Sequence, residues 1–563
     1  METNPIIKKL QVLALFLLCA FTASAYDFMV DSICYTIIAE NEVEVARNDS
    51  GKYKGDISIP SAVINEGITY HVTRIGKNAF SGCSELTSID IPEGVTKIDE
   101  WAFEVCKGLE FIEFPNSLVS IGRWAFAGCS GIKTVNITRN LTDIAYNVFY
   151  GFSGVVNYTC SPFNPKYCAD GGILYSKDMT TLVAYPQAST ATSFDIPGTV
   201  TTVGDYCMHN CDNLTEVNIP ESVTKFGMNV FSGSDNIESI YVPDGVTTMG
   251  VTVFGSCTKL KYVHLPANLD SLKNSSFYGC NALEEVTIPR NVRYIGNYAF
   301  SECEILKTIT FEEGSCLEGF GDQVFAYCPV FETLDMPNTV TTVDRSLFYM
   351  CPSLKSVHLS RNLTGIGYGC FYRCSSLTEL DIPGTCTLLG NTAIFQCTSL
   401  KKLKIGDKDA PAGTTLIEHY ALAHSPELER LELGANIDSL TYGCLNDLTN
   451  VKILICWATT PPRADELALG IAFSRTPLYV HKASVEAYRQ ARMWNRFQTI
   501  IPIEDVGDVN GDGSVSIGDV TSLIDILLGG ETDRALYCDV NLDGSVSISD
   551  VTILIDTLLG GSE

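Results

Sequence analysis

The sequence predicts a mainly β fold: a solenoid of parallel strands and short helical turns with a 23-residue repeat. A β-rich cap opens it and a small α-helical, calcium-binding domain follows it. Three observations carry this. Cys83, Cys106 and Cys129 are 23 residues apart, as are Cys257, Cys280 and Cys303, and Cys328, Cys351, Cys374 and Cys397. The same apolar pattern surrounds each of these cysteines. Near the C-terminus an Asp-x-Asn-x-Asp-Gly loop occurs twice, at Asp508 and Asp539.

Composition bounds the function. Of 563 residues, 45% are hydrophobic and 18% charged, enough apolar material for a large core and too few charges for a disordered chain. There are 38 basic residues against 66 acidic ones, a net charge of −28. Nucleic acid needs a basic surface, so it is excluded as the main partner, and anionic lipid is disfavoured for the same reason. Hard cations such as calcium suit the balance.

Residues 1–25 read as a signal peptide. Lys8-Lys9 precede the apolar run Leu10 to Ala20, and Ala23-Ser24-Ala25 is a small-x-small cleavage site. The run is too short to be a transmembrane anchor, and Leu18 is too large for a good lipoprotein site at Cys19. The expected product, cleaved near Ala25, is secreted or at the cell surface.

The repeat itself follows from side-chain geometry. One unit runs Leu86, Ile89, Ile91, Pro92, Val95, Ile98, Ala102-Phe103 and Cys106. Ile89 and Ile91 are two apart and share one face of a strand, which Pro92 ends because it has no N–H to donate. Ala102, Phe103 and Cys106 fall on one face of a short helical turn. One unit cannot bury its apolar side alone, but stacked units bury it continuously, so a single continuous parallel sheet is expected. Cys211, together with Phe152, Ser234, Ser425 and Leu448 as substitutes, completes fifteen slots.

Phrases such as "IGKNAFSGCSELTSIDIPEGV" and "IGYGCFYRCSSLTELDIPG" resemble the BspA-like leucine-rich repeat family. On that resemblance residues 26–74 are an N-terminal β cap, 75–470 the repeats, and 471–505 a C-terminal cap and linker. A hairpin insertion is expected at about 156–193, around "DGGILYSKDMTTLVAYP". The resemblance implies adhesion to extracellular proteins and other cells.

Metal ligands do not tolerate Phe, Ser and Leu substitutes, so the ladder cysteines read as buried free thiols. Cys207, Cys370 and Cys444 in the Ala slot and Cys386 in the Val slot read the same way. Cys160 and Cys168, off the ladder, are the best disulfide candidates. Between the apolar strand residues, two columns must point outward, from Ser88 and Asp90 to Arg430 and Glu432. Tyr241, Tyr262 and His264 cluster there and mark the expected contact patch for an extracellular protein or glycan.

The duplicated loops are EF-hand-like. Asp508, Asn510, Asp512, the Ser514 carbonyl, Ser516 and Asp519 occupy positions 1, 3, 5, 7, 9 and 12. Asp539, Asn541, Asp543, the Ser545 carbonyl, Ser547 and Asp550 repeat them. Two calcium ions are expected. From Val506 on, 11 acids face one Arg534, so the cations should complete the fold. Each loop opens a helix with an apolar stripe, Val520 to Leu528 and Val551 to Leu559. A loop–helix duplicate with Asp at position 12 resembles a type I dockerin, placed at 506–563. This implies a cohesin-like partner, with recognition at positions 10 and 11: Ile517-Gly518 and Ile548-Ser549. The family usually has a hydroxyl pair there.

No catalytic motif is found, and the insertion is too short for a catalytic domain. The expectation is a non-catalytic surface binding or adhesion protein. The alternative is a structural or carbohydrate-recognition component of a cellulosome-like, polysaccharide-degrading assembly.

Overall fold

Each repeat makes one turn of a solenoid that contributes two strands, a long one and a two-residue one. In a computed structural model the described residues are 26–560, except Ser50 and Ala472. The expected signal peptide lies outside them. The chain makes about 19 turns of β-solenoid with ~8% helix. That exceeds the fifteen cysteine slots, because strands such as Gly55–Ser58, Leu478–Val480 and Ile500–Pro502 stack on the ladder without a cysteine turn. The described residues fall into two compact units, divided after Glu238.

In the first unit, Phe28–Val30, Ile33–Ala39 and Glu42–Ala46 form an antiparallel meander. Ile68–Ile75 pairs antiparallel with Ala62–Asn65 and parallel with Glu42–Ala46, then passes the ladder to Lys97–Ile98. The insertion is a second meander, Tyr167–Asp170, Ile173–Ser176 and Thr181–Ala184, whose last strand rejoins the parallel ladder at Thr202–Val203. In the second unit the short strands form a nine-stranded row from Ser271–Leu272 to Arg463–Ala464. The long strands form separate parallel sheets, Glu285–Ile288 to Ser356–His358 and Glu379–Ile382 to Ile500–Pro502, with Ser239–Tyr241 paired to Tyr262–His264. The single continuous sheet is therefore corrected to two rows of strands in several sheets. Each repeat turns between its long strand and its short one, at a proline in most of them, so the two strands lie in different ladders.

Between the short strand and the cysteine the backbone closes by three-residue turns. The N–H groups of Ala102, Glu104 and Cys106 bond to Asp99, Trp101 and Phe103. The alternate N–H groups, of Trp101, Phe103 and Val105, reach Arg123, Ala125 and Ala127 in the next repeat. Trp101 and Val105 have φ of 55° and 59°, which stops the turn from growing into a helix. The Ile-Gly step packs backbone on backbone: a Cβ at Gly122 would lie 2.8 Å from Glu100 N. Inside, the phenylalanines stack, with Phe80, Phe103 and Phe126 5.0 Å apart and within 5° of parallel.

The cysteine ladder is a column of thiol donors as well as a packing column. Eight ladder thiols reach the carbonyl of the phenylalanine in the previous turn, for example Cys106 to Phe80 at 3.1 Å and Cys280 to Phe254 at 3.0 Å. Ser234 does the same with Oγ, 2.8 Å from Met208 O, which explains why serine is accepted in that slot. All 21 cysteines among the described residues are free, and 18 are buried. Cys160 and Cys168 are not bridged: their thiols point to the carbonyls of Tyr167 and Ser176.

The C-terminal helices Ile517–Leu527 and Ile548–Leu558 pack through Val520, Leu523, Val551 and Leu554, with Val509 and Cys538 beneath. The expected stripe is wider than the buried one. Ile524, Leu527 and Leu528 are exposed, as are Leu558 and Leu559, because two 11-residue helices cover only one turn of each other.

Candidate metal centre and binding faces

Each C-terminal loop is folded around its first aspartate. Asp508 Oδ1 accepts from the N–H groups of Gly511 and Asp512, at 2.8 and 3.1 Å, and Oδ2 from Gly513. Asp539 accepts from Asp543 and Gly544 at 3.0 and 2.9 Å. Gly513 and Gly544, with φ of 89° and 92°, make the bend that a side chain would oppose. Asp519 closes its loop by accepting from Asn510 N and Ser516 N, at 2.9 and 2.8 Å, and Asp550 does so from Asn541 N and Ser547 N.

The last aspartate has a second duty. Ser516 with Asp519, and Ser547 with Asp550, form capping boxes at the starts of the two helices. The short Asp side chain suits both the loop and the N-cap. The serine hydroxyls serve those caps, accepting from Gly518 N and Ser549 N at 3.2 Å.

The donor set matches what a hard cation needs. Asp508, Asp519, Asp539 and Asp550 are buried. Arg534 lies 3.3 Å from Asp508, but no salt bridge reaches the other three among the described residues. A buried carboxylate without a counter-charge is costly, and a cation removes that cost. Burial pushes the Asp539 carboxyl up, with Asp550 and Asp543 adding repulsion. Hydrogen bonds from Ser514 and Ser545 hold Asp512 and Asp543 below the usual carboxylate range. Among the described residues no three His, Cys, Asp or Glu side chains form a ready-made cage. The loops instead mix carboxylates with amide, carbonyl and hydroxyl oxygens. That all-oxygen set fits calcium.

On the helix side, Ile517 and Ile548 are 73% and 72% exposed, Ser549 is exposed and Gly518 half-buried. Leu528 and Leu559, placed on the apolar stripe by their spacing, are exposed as well.

On the strand face, Tyr241 and His264 are cross-strand partners and stack face to face, 4.4 Å between centroids and 2° from parallel. Tyr262 sits two residues before His264, opposite Ser239, and is 68% exposed. Asp244 approaches His264 Nε2 at 3.8 Å. The structure thus brings the three predicted residues onto one pair of strands.

A concavity of about 1050 Å³ lies elsewhere on the second unit, beside the cysteine turns at Tyr278, Glu302, Tyr327, Arg373 and His424. An aromatic row, Tyr327, Tyr349, Tyr372, Phe395 and His424, runs there with ring centroids 4.7–5.6 Å apart. Sequence reasoning missed it, although these residues fall one and two places before the ladder positions.

Rungs of paired long and short strands around a thiol column, followed by duplicated calcium-type loops, define a leucine-rich repeat solenoid with an EF-hand-like module. The chain belongs to the BspA-type leucine-rich repeat family. The BspA type leucine rich repeat region matches residues 55–163, 183–307, 271–401 and 389–460, in six copies. The gap between the first two matches falls on the antiparallel insertion. Residues 506–559 match the dockerin type I domain.

Similar solved structures include a leucine-rich repeat protein from Bacteroides ovatus, at 22% identity and TM-score 0.43, covering 84% of this chain and all of that one. Another, from Eubacterium ventriosum, has 22% identity and TM-score 0.42, covering 66% and 94%. The pneumococcal vaccine antigen PcpA has 17% identity and TM-score 0.40, covering 57% and 94%. No curated protein matches the chain. Proteins with these repeats and dockerins are typically extracellular or at the surface, and the two families are generally non-catalytic. No helix among the described residues is long and apolar enough to cross a membrane.

Proposed function

We propose that this is an exported, non-catalytic binding protein with two recognition surfaces. The repeat strand face takes an extracellular protein or glycan, with Tyr241, Tyr262 and His264 as the contact patch. The C-terminal module holds two calcium ions in the loops Asp508–Asp519 and Asp539–Asp550 and docks onto a cohesin-like partner. Ile517-Gly518 and Ile548-Ser549 make that contact. The leader 1–25 directs export.

The observation that carries this reading is the pair of loop–helix copies, each with buried carboxylates at its centre and an exposed isoleucine at its helix start. Isoleucine in place of the usual hydroxyl favours an apolar contact on the partner. The test uses the full chain in calcium buffer against a panel of type I cohesin modules. Capture that is lost when Ile517→Asp and Ile548→Asp are combined supports the reading. Absence of capture across the panel refutes the cohesin assignment.

A further inference from the structure

The outward columns of the strand face change character at the last rungs. They carry Lys402 and Lys404, then Arg430 and Glu432. The register continues them: Arg430 faces Ile453, Glu432 faces Ile455, and Ile455 faces Tyr479, which faces Ile501. All four of these later residues are apolar or aromatic, and all are buried. On any earlier rung an outward residue meets solvent. Here the second calcium-type loop lies over them.

Leu542 inserts among Ile453, Ile455, Tyr479 and Ile501, and is itself 8% exposed; Trp457, Ile503, Val506 and Tyr537 pack around the cluster. Arg430 donates to the carbonyls of Asn541 and Leu542, and the Tyr479 hydroxyl to that of Leu536 at 3.4 Å. The two loops are near copies, but they differ at this point. Where the second has Leu542, the first has Gly511, and both adopt positive φ, 52° and 75°. Glycine adopts that conformation freely, whereas leucine does so against its side chain. What offsets the strain in the second loop is the apolar cluster Leu542 enters.

We propose that the strand face of the last rungs is a seat for this chain's own segment 536–544, with Leu542 as its plug. The calcium-type module is then a fixed continuation of the solenoid and not a tethered appendage. Leu542 lies between Asn541 and Asp543, so closing the second loop and seating it use the same backbone. The first loop, with Gly511, has no such plug. This inference does not depend on the cohesin assignment.

The test uses the full chain in calcium. Leu542→Gly installs the residue that the first loop already tolerates, and Arg430→Ala weakens the seat from the repeat side without touching the loop. Cleavage beside Glu504 by a glutamate-specific protease and small-angle scattering report on the seat. Wild type should be resistant, with scattering that shows no freely moving C-terminal module. Leu542→Gly should be cleaved roughly ten- to a hundredfold faster, the factor that accompanies loss of one buried leucine. Arg430→Ala should shift in the same direction, and Leu542→Met should restore resistance. Equal cleavage of wild type and both disrupting variants would overturn the proposal, as would wild-type scattering from a freely moving module.

Discussion

Thiol labelling of the native protein gives the sharpest test of the ladder. The perturbation is excess maleimide at pH 8, with labelled sites read by mass spectrometry before and after unfolding. Cys316 is exposed, Cys160 and Cys168 are half-buried, and the other 18 described cysteines are buried. Burial pushes Cys386 up to about 11, from 9.0. Its thiolate share at pH 8 then falls about a hundredfold, and only the thiolate reacts. Cys370 and Cys397, both pushed by burial up to about 12, lose roughly another tenfold. Closed packing multiplies these factors, because a fully buried sulfur reacts only through an opening of its rung. The expected native pattern is rapid labelling at Cys316, slower labelling at Cys160 and Cys168, and none elsewhere until the protein unfolds. Labelling of most ladder positions in the folded state would refute the buried-donor account. Within the ladder, Cys280→Ser should be better tolerated than Cys280→Val, because Ser234 already makes the equivalent bond and valine cannot.

Three further outcomes are expected. His209 is buried against Tyr150, and burial, only partly offset by the Ser232 backbone, lowers its pKa from 6.5 to about 4. Its neutral form therefore supports stability fully above about pH 6.5. That support is lost as pH falls toward 4, up to about 3 kcal/mol. Denaturant melts should show His209→Phe flattening the slope in that window, and an unchanged slope would exclude His209 as its source. Asp508→Ala combined with Asp539→Ala should abolish calcium uptake measured by calorimetry on the full chain; retained stoichiometry of two would refute the ligand sets. Replacing Tyr241, Tyr262 and His264 with Ser should leave the melting temperature within ~2 °C, since all three are exposed side chains, while weakening any extracellular ligand found. Unchanged affinity would move the site elsewhere, with the aromatic row beside Tyr327 the next surface to mutate.

The architecture was legible because it repeats. Period-two strands, the proline stop and the apolar slots are local signals that recur many times, so one misread unit does not mislead. The calcium-type loops were legible because cation coordination demands oxygen atoms at fixed spacings. Other features depend on neighbouring turns and leave weaker traces. The carbonyl partner of each thiol lies 26 residues away along the chain at Cys106 and Cys280, and nothing local marks it. Positive φ at Trp101 and Val105 is imposed by bonds to the next repeat, against the preference of those residues. The outward columns expected from the sequence end at Arg430 and Glu432, one rung before the apolar switch at Ile453 and Ile455. Its meaning appears only when Leu542 is seen filling it.

The ladder also determines where such a protein can change length. From Cys303 to Cys328 the step is 25 residues, and from Cys397 to Ser425, which takes the next ladder slot, it is 28. Yet Cys328 still reaches Phe300 O at 3.0 Å. In both repeats the surplus is looped out between the long strand and the short one, around Glu312–Cys316 and Asp407–Thr414, while the strands on either side keep their pairing. That corner behaves as a splice point: tags, epitopes or new binding loops placed there should leave the stacking undisturbed. The same insertion between the short strand and the cysteine would sever the cross-turn bonds and halt the array.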